Sequence, residues 1–112
     1  MGKYEEKTDE IMNFFGILAK EKPKTTKGFM SMHQSIEEDS ALTAKEKEFV
    51  ALGIAIGTRC EGCIAAHVGS LIELGATRDE IIDVISVAAV MGGGPSITYG
   101  AVAYNAYEEM SN

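Results

Sequence analysis

The sequence predicts an all-α fold: a compact bundle of five or six helices that forms a single domain over residues 1–112. Apolar residues recur at helical spacing along almost the whole chain, and the sequence has no strand-like alternation and no Asn-Gly or Asp-Gly hairpin dipeptide. Two capping boxes mark helix starts, and Pro and Gly mark the breaks between periodic segments. A chain of 112 residues, of which 46% are hydrophobic, is long enough to bury one core.

The first two helices are predicted from apolar periodicity alone. The first runs from Glu5 to Ala19, with its apolar face at Ile11, Met12, Phe14, Phe15 and Leu18. Pro23 interrupts the pattern, because proline lacks a backbone donor and clashes with the preceding turn of a helix. A second helix is then predicted from about Thr25 to Glu38, where the chain becomes polar.

The middle of the chain predicts an antiparallel pair of helices. Thr43 and Glu46 form a capping box that opens the third helix, which is apolar nearly all round and therefore predicted to be buried. Gly57-Thr58-Arg59 ends it, and so short a connection favours antiparallel neighbours. The fourth helix is predicted from about Cys60 to Leu74, with Gly75 as the residue that stops it.

Two more helices are predicted in the last third of the chain. A second capping box, from Thr77 to Glu80, opens the fifth helix, which should end near Met91. Gly92-Gly93-Gly94 interrupts the pattern, and the sixth helix is predicted from about Pro95 to Glu109. The apolar faces are wider than one small domain needs, so we expect the chain to self-associate.

Chemistry is concentrated in one run, Cys60-Glu-Gly-Cys63-Ile-Ala-Ala-His67, which holds both cysteines of the chain. At about 100° per residue, the two thiols and the imidazole share one face of a helix. Counted from Thr58, Glu48 lies about as far back along the third helix as His67 lies forward along the fourth. A carboxylate on a buried helix is costly without a partner, so we predict that Glu48 contacts His67 directly or through one water. The simpler interpretation is that Glu48 only stabilises the start of its own helix.

Charge and hydropathy exclude several kinds of partner. The formal net charge of −7 argues against nucleic acid and anionic membranes, which bind clustered Lys and Arg. No uninterrupted run of 18 apolar residues exists, and the charged amino terminus does not look like a signal peptide. We therefore expect a cytoplasmic protein, and in a reducing compartment a Cys-x-x-Cys pair is more often redox-active or metal-binding than a structural staple.

These residues resemble a family signature. Glu48, eleven intervening residues and the run from Cys60 to His67 are similar to the E-x11-C-x-x-C-x-x-x-H pattern of the alkylhydroperoxidase D-like branch of the carboxymuconolactone decarboxylase superfamily. The likeness continues through Leu74-Gly75-Ala76-Thr77-Arg78-Asp79-Glu80-Ile81. It implies the alkylhydroperoxidase D-like helical fold and assembly as a homotrimer or homohexamer. The chain departs from the pattern at Gly62, where some redox members carry His or Ser.

The favoured function is thiol–disulfide redox chemistry with a small hydroperoxide as the oxidant. A cysteine reacts as its thiolate, so its free pKa of about 8.5 must fall toward neutrality. Cys60 lies at a helix start beside Arg59, which favours it as the attacking thiolate, and Cys63 is then the resolving partner. The resemblance implies that Glu48 and His67 form a proton relay. It also implies a thioredoxin-like or lipoyl-bearing protein as reductant, with the redox-active disulfide in place of any bound cofactor or metal.

Two other functions fit parts of the same pattern. Cys60, Cys63, His67 and Glu48 are four potential zinc ligands, although three ligands on one helix leave little structure to tie together. Alternatively, the Glu and His could serve as the acid–base pair of a decarboxylase-like enzyme acting on a small cyclic acid, which would not need the cysteines. His33 is interpreted as a core or interface histidine, and no role in catalysis is predicted for it.

Overall fold

Six helices make up most of residues 2–111, the part of the chain described by the computed structural model. Their bounds are α1 (Lys3–Glu21), α2 (Pro23–Gln34), α3 (Ala44–Gly57), α4 (Glu61–Glu73), α5 (Arg78–Gly92) and α6 (Gly94–Met110). No strand occurs within residues 2–111, which confirms the predicted all-α bundle. None of the helices in this range is long and apolar enough to cross a membrane.

The second helix ends four residues earlier than predicted, at Gln34 instead of Glu38. Acidic side chains are unfavourable near the C-terminus of a helix, where the dipole is negative. An acidic run follows α2 in the sequence and disfavours a longer helix. One of these residues instead serves the next helix: the Asp39 carboxylate accepts a hydrogen bond from the backbone N–H of Ala44 at 2.7 Å. The segment after Gln34 thus leads into α3 and does not extend α2.

Both predicted capping boxes are present. At the start of α3, the Thr43 hydroxyl accepts from the N–H of Glu46 at 3.0 Å, and the Glu46 carboxylate accepts from the N–H of Thr43 at 2.8 Å. The corresponding distances between Thr77 and Glu80 at the start of α5 are 3.1 and 2.9 Å. The Thr43 and Thr77 backbone donors lower the pKa of Glu46 and Glu80, respectively, below the usual carboxyl value.

The core lies among α3, α4, α5 and α6, and its largest fully buried side chains are Leu52, Ile56, Ile64, Val68, Leu71 and Ile81. α1 packs across α4 and α6, whereas the backbone of α2 lies beside α1 and beside no other helix within residues 2–111. The pair formed by α1 and α2 is therefore attached to the four-helix core mainly through α1. This attachment brings α1 and α2 over the end of the core that carries the cysteines.

Many large apolar side chains remain exposed in the single chain. One group lies on α1 and α2 and includes Met12, Phe14, Ile17, Phe29 and Met32; another lies on α3, α5 and α6 and includes Val50, Ile54, Val87, Val90, Met91 and Ile97. Exposed patches of this extent usually mark surfaces that other molecules cover.

Candidate functional site

Cys60 and Cys63 are joined by a disulfide at the start of α4, with their Cα atoms 5.2 Å apart. Cys60 is the N-cap residue of that helix, and its Sγ accepts a hydrogen bond from the backbone N–H of Cys63 at 3.2 Å. The predicted placement of the cysteine pair at a helix N-terminus is confirmed. The end of a helix that carries free N–H groups favours negative charge, so this position stabilises a thiolate when the pair is reduced.

The turn before the cysteines sets their position. Arg59 adopts a φ of 57°, in the left-handed region that a non-glycine residue seldom occupies. This conformation reverses the chain within three residues and lets the N–H of Cys60 donate to the carbonyl of Ala55 at 3.1 Å. Cys60 is thereby tied to the end of α3 as well as to the start of α4. The Arg59 side chain is exposed.

Glu48 and His67 form a direct ion pair or hydrogen bond. Glu48 Oε2 lies 2.6 Å from His67 Nδ1, and the two side chains are 5% and 13% exposed, respectively. This contact confirms the prediction that α3 and α4 run antiparallel and bring the two residues to the same height. A buried carboxylate without a partner would be strongly destabilising, and here the imidazole is the partner.

The contact of Glu48 with Nδ1 determines which ring nitrogen of His67 is available for proton transfer. With Nδ1–H donated to the carboxylate, Nε2 is the ring nitrogen left to accept or donate a proton elsewhere. Helical side chains lean toward the N-terminus of their helix, and His67 follows Cys63 by one turn on the same face. The arrangement is therefore a buried acid, an imidazole and a cysteine pair in sequence along one end of the bundle.

One neighbour of His67 was not predicted as part of the site. The ring of His33, in α2, stacks on the ring of His67 with centroids 5.7 Å apart and planes 6° from parallel. His33 is half-buried and is neither a core residue nor remote from the proposed chemistry. Its helical spacing from Phe29 indicated an aromatic face on this helix, but nothing in the sequence indicated which surface that face would meet.

Gly62, where the chain departs from the family pattern, lies against α1. A Cβ atom added at this position would collide with the Cδ1 atom of Ile11. The space that a side chain would occupy between the two cysteines is thus taken by a residue from the first helix. A side chain at position 62 would therefore require the Ile11 side chain to move.

The geometry also bears on the other two functional hypotheses. Within residues 2–111 no three His, Cys, Asp or Glu side chains lie together as a metal-binding group, and both sulfurs are engaged in the disulfide, so a zinc site would require the reduced pair. A groove of about 420 Å³ between α3 and α5 is lined by apolar side chains and does not include Glu48 or His67. Its lining consists of Phe49, Val50, Gly53, Ile54, Val84, Val87, Ala88 and Met91.

The fold and the site together define a class of small helical proteins with a Cys-x-x-Cys disulfide at a helix start, backed by a buried Glu–His pair. A family model described as the carboxymuconolactone decarboxylase family matches residues 23–106. The chain therefore belongs to that family, as its signature indicated.

Solved structures and a curated sequence agree with this assignment. The apo form of lpg0406, a carboxymuconolactone decarboxylase family protein from Legionella pneumophila, superimposes with a TM-score of 0.95 at 39% identity over 98% of each chain. A family member from Thermotoga maritima, for which a part in an antioxidative response has been suggested, gives a TM-score of 0.82 at 26% identity over 93% of this chain and 89% of its own. An uncharacterised protein of Cupriavidus necator is 28% identical over 91% of this chain and 90% of its own.

Proposed function

We propose that this protein is a cytoplasmic thiol–disulfide oxidoreductase that reduces small hydroperoxides through Cys60 and Cys63. The observation that carries the proposal is the cysteine pair at the N-cap of α4, with the Glu48–His67 pair one turn further along. Family membership and the antioxidative role suggested for the Thermotoga maritima relative point in the same direction.

In the reduced protein, Cys60 is the nucleophile. Its sulfur lies where the N–H of Cys63 and the positive end of the α4 dipole stabilise a thiolate. His67 accepts the thiol proton, either directly or through a water, and Glu48 stabilises the resulting imidazolium. Because Glu48 is itself 5% exposed, the charge on the imidazolium is compensated within the protein and not by solvent.

The reaction proceeds in two steps that balance. The Cys60 thiolate attacks the terminal peroxide oxygen, the O–O bond breaks, and the alkoxide leaves as an alcohol after taking a proton from His67. Cys60 is then a sulfenic acid, and the Cys63 sulfur attacks it, forming the disulfide and releasing water. Overall, two thiols and one hydroperoxide give one disulfide, one alcohol and one water. A dithiol protein, thioredoxin-like or lipoyl-bearing, restores the thiols by exchange and becomes oxidised itself.

Two observations bear on the assembly in which this chemistry would occur. The exposed apolar faces of α1, α2, α3 and α5 need covering, and the family resemblance implies assembly as a trimer or hexamer. We therefore propose a homotrimer or homohexamer in which these faces are buried between copies.

The proposal is tested by mass spectrometry of the reduced protein after exposure to one equivalent of hydroperoxide. The mass of the wild-type protein should fall by that of two hydrogen atoms, and digestion should yield a peptide containing the Cys60–Cys63 disulfide. In Cys63→Ser, a sulfenic acid should persist on Cys60 and be captured by dimedone, whereas Cys60→Ser should show neither product. Metal analysis on the same reduced protein separates this function from zinc binding. Stoichiometric zinc that protects both thiols from alkylation would contradict the proposal.

A further inference from the structure

The rings of His33 in α2 and His67 in α4 are in contact, although the backbones of these two helices do not lie close together. The His33 ring belongs to α2, and the backbone of that helix lies beside α1 alone within residues 2–111. The parallel stack, with centroids 5.7 Å apart, is thus a side-chain link between α2 and the helix that carries the cysteines.

The stacked pair lies at the end of a row of four rings that contact one another in order. Phe15 of α1 lies 6.0 Å from Phe29 of α2, and Phe29 lies 5.6 Å from His33, with interplanar angles of 50° and 48°. These tilted contacts fix one side of the His33 ring, and its other neighbour is the His67 ring, which it contacts in an offset stack. This row of rings links the packing of α1 against α2 to the orientation of the His67 imidazole.

The geometry rules out one role for His33. A proton passes between two imidazoles along an N–H···N hydrogen bond, which lies in the plane of the rings. Within residues 2–111 no hydrogen bond joins the two rings; His67 Nδ1 is bonded to Glu48, and the rings lie in an offset stack with centroids 5.7 Å apart and planes 6° from parallel. His33 therefore does not extend the proton relay, and any effect on the chemistry must act through the position of His67.

Position matters for this imidazole because it has two tasks. Its Nδ1 contacts Glu48, and under the proposed function its Nε2 takes the thiol proton, yet the torsion that turns a histidine ring is broad. A hydrogen bond at one edge fixes one atom and leaves the ring free to rock about it. A flat neighbour on the face removes that freedom.

We infer that His33 is a positioning residue that clamps the His67 imidazole in the plane in which it bridges Glu48 and the cysteine pair. This role rests on the proposed function, because it assigns a second histidine to the same site. The flat ring of His33 is the property that counts, and its nitrogens are not required.

The kinetic test compares variants of His33 that differ in shape and chemistry. His33→Leu and His33→Ala remove the flat ring, and disulfide formation from the reduced protein with hydroperoxide should slow about threefold to tenfold, the rate equivalent of an aromatic contact. His33→Phe keeps a flat ring without nitrogens and should retain the wild-type rate. Gln34→Ala, at the exposed polar position that follows His33, is the matched control and should change nothing.

A spectroscopic readout tests the same clamp without peroxide. The ¹⁵N and ¹³C signals of the His67 ring should report a fixed Nδ1–H tautomer in wild-type protein and in His33→Phe, and averaged signals in His33→Leu. The inference is overturned if His33→Leu leaves both the rate and the spectrum unchanged, or if His33→Gln restores them and His33→Phe does not. If wild-type protein forms no disulfide with hydroperoxide, the proposed function fails, and the spectrum alone still decides whether His33 holds His67.

Discussion

At the scale of single residues, the carboxylate of Glu48 is the group whose environment is hardest to explain without function. It is 5% exposed on a helix that is apolar from Phe49 onward, and it lies 2.6 Å from an imidazole. A hydrophobic residue of similar size would pack in the same place without the desolvation of two polar groups. The pair is therefore more easily understood as chemistry than as a contribution to stability.

Replacing Glu48 with Gln should slow oxidation of the cysteine pair by about a hundredfold, within the range of a lost acid–base partner. The substitution keeps the shape but removes the charge that stabilises the His67 imidazolium. The pH at which half of the reduced Cys60 is alkylated by iodoacetamide should also move upward. Stopped-flow oxidation and a pH series of alkylation rates measure the two effects.

Glu61→Gln is the matched control, because Glu61 adjoins Cys60 but is separate from the Glu48–His67 hydrogen bond. It should leave the oxidation rate unchanged or raise it slightly by removing a negative charge near the thiolate. Equal slowing in both variants would show that the effect at Glu48 is not specific to its contact with His67.

The residues of the site were predictable to different degrees. Cys60, Cys63 and His67 stand close in the sequence, and the contact of Glu48 with His67 followed from counting along two helices joined by a tight turn. His33 could not be found in this way, because its meeting with His67 depends on how α1 and α2 pack on the core. No local spacing encodes that packing.

At the scale of the elements, helix starts were better specified by the sequence than helix ends. The side chains of Thr43 and Thr77 bond the backbone locally, so both starts are visible in four consecutive residues. The end of α2 has no such signal, and the predicted end at Glu38 is wrong by four residues. It ends at Gln34, and Asp39 caps the next helix.

Thr43→Ala should lower the free energy of unfolding by about 1 kcal/mol, the usual consequence of losing a side-chain N-cap. Thr43→Ser keeps the hydroxyl that accepts from the N–H of Glu46 and should lower the free energy of unfolding much less. Urea unfolding followed by circular dichroism at neutral pH measures both variants. A Thr43→Ala protein as stable as wild type would show that tertiary packing alone fixes the start of α3.

The same cap predicts a dependence on pH. The Thr43 backbone donor lowers the pKa of Glu46 in the folded protein, so its contribution is complete above the unfolded carboxyl pKa of 4.5 and is lost as the pH falls through the lower folded value. Glu46→Gln should therefore be less stable than wild type near pH 7, with the difference shrinking below pH 4.5. Urea unfolding of both proteins across this pH range checks the sign, and a difference that grows on acidification would contradict it.

The contact between Gly62 and Ile11 predicts that Gly62→Ala affects stability differently in two backgrounds. In an Ile11→Ala background, Gly62→Ala should stabilise the protein, because alanine favours a helix by up to about 1 kcal/mol over glycine. In the wild-type background that gain should be cancelled, because the new Cβ meets the Ile11 side chain. Thermal unfolding of the four proteins measures the coupling, and equal effects in both backgrounds would show that Ile11 moves aside freely.

At the scale of the whole molecule, the single chain leaves an apolar stripe on α5 facing outward. Val87, Val90 and Met91 occupy one side of that helix and are 62%, 84% and 82% exposed. The sequence indicates that the apolar helix faces are wider than one domain needs. Which of these faces stays exposed depends on where α1 and α2 pack on the core. The stripe is the surface on which the proposed assembly depends most directly.

Purified protein should therefore elute as a species several times heavier than its 12.0 kDa chain. Val90→Asp, which puts a charge into the stripe, should shift it toward the monomer, while Asn105→Asp at an exposed polar position of α6 should not. Size-exclusion chromatography with light scattering gives both masses. A monomeric wild-type protein at micromolar concentration would contradict the assembly.

The most direct measurement of the central claim follows peroxide consumption and thiol loss in one reaction. The fully reduced protein is mixed with a limiting hydroperoxide, and both quantities are recorded over time for the wild type and for Cys60→Ser. The account predicts that one hydroperoxide disappears for each Cys60–Cys63 disulfide formed, at the same rate, and that the variant consumes none. Peroxide that persists while both wild-type thiols remain free would contradict it.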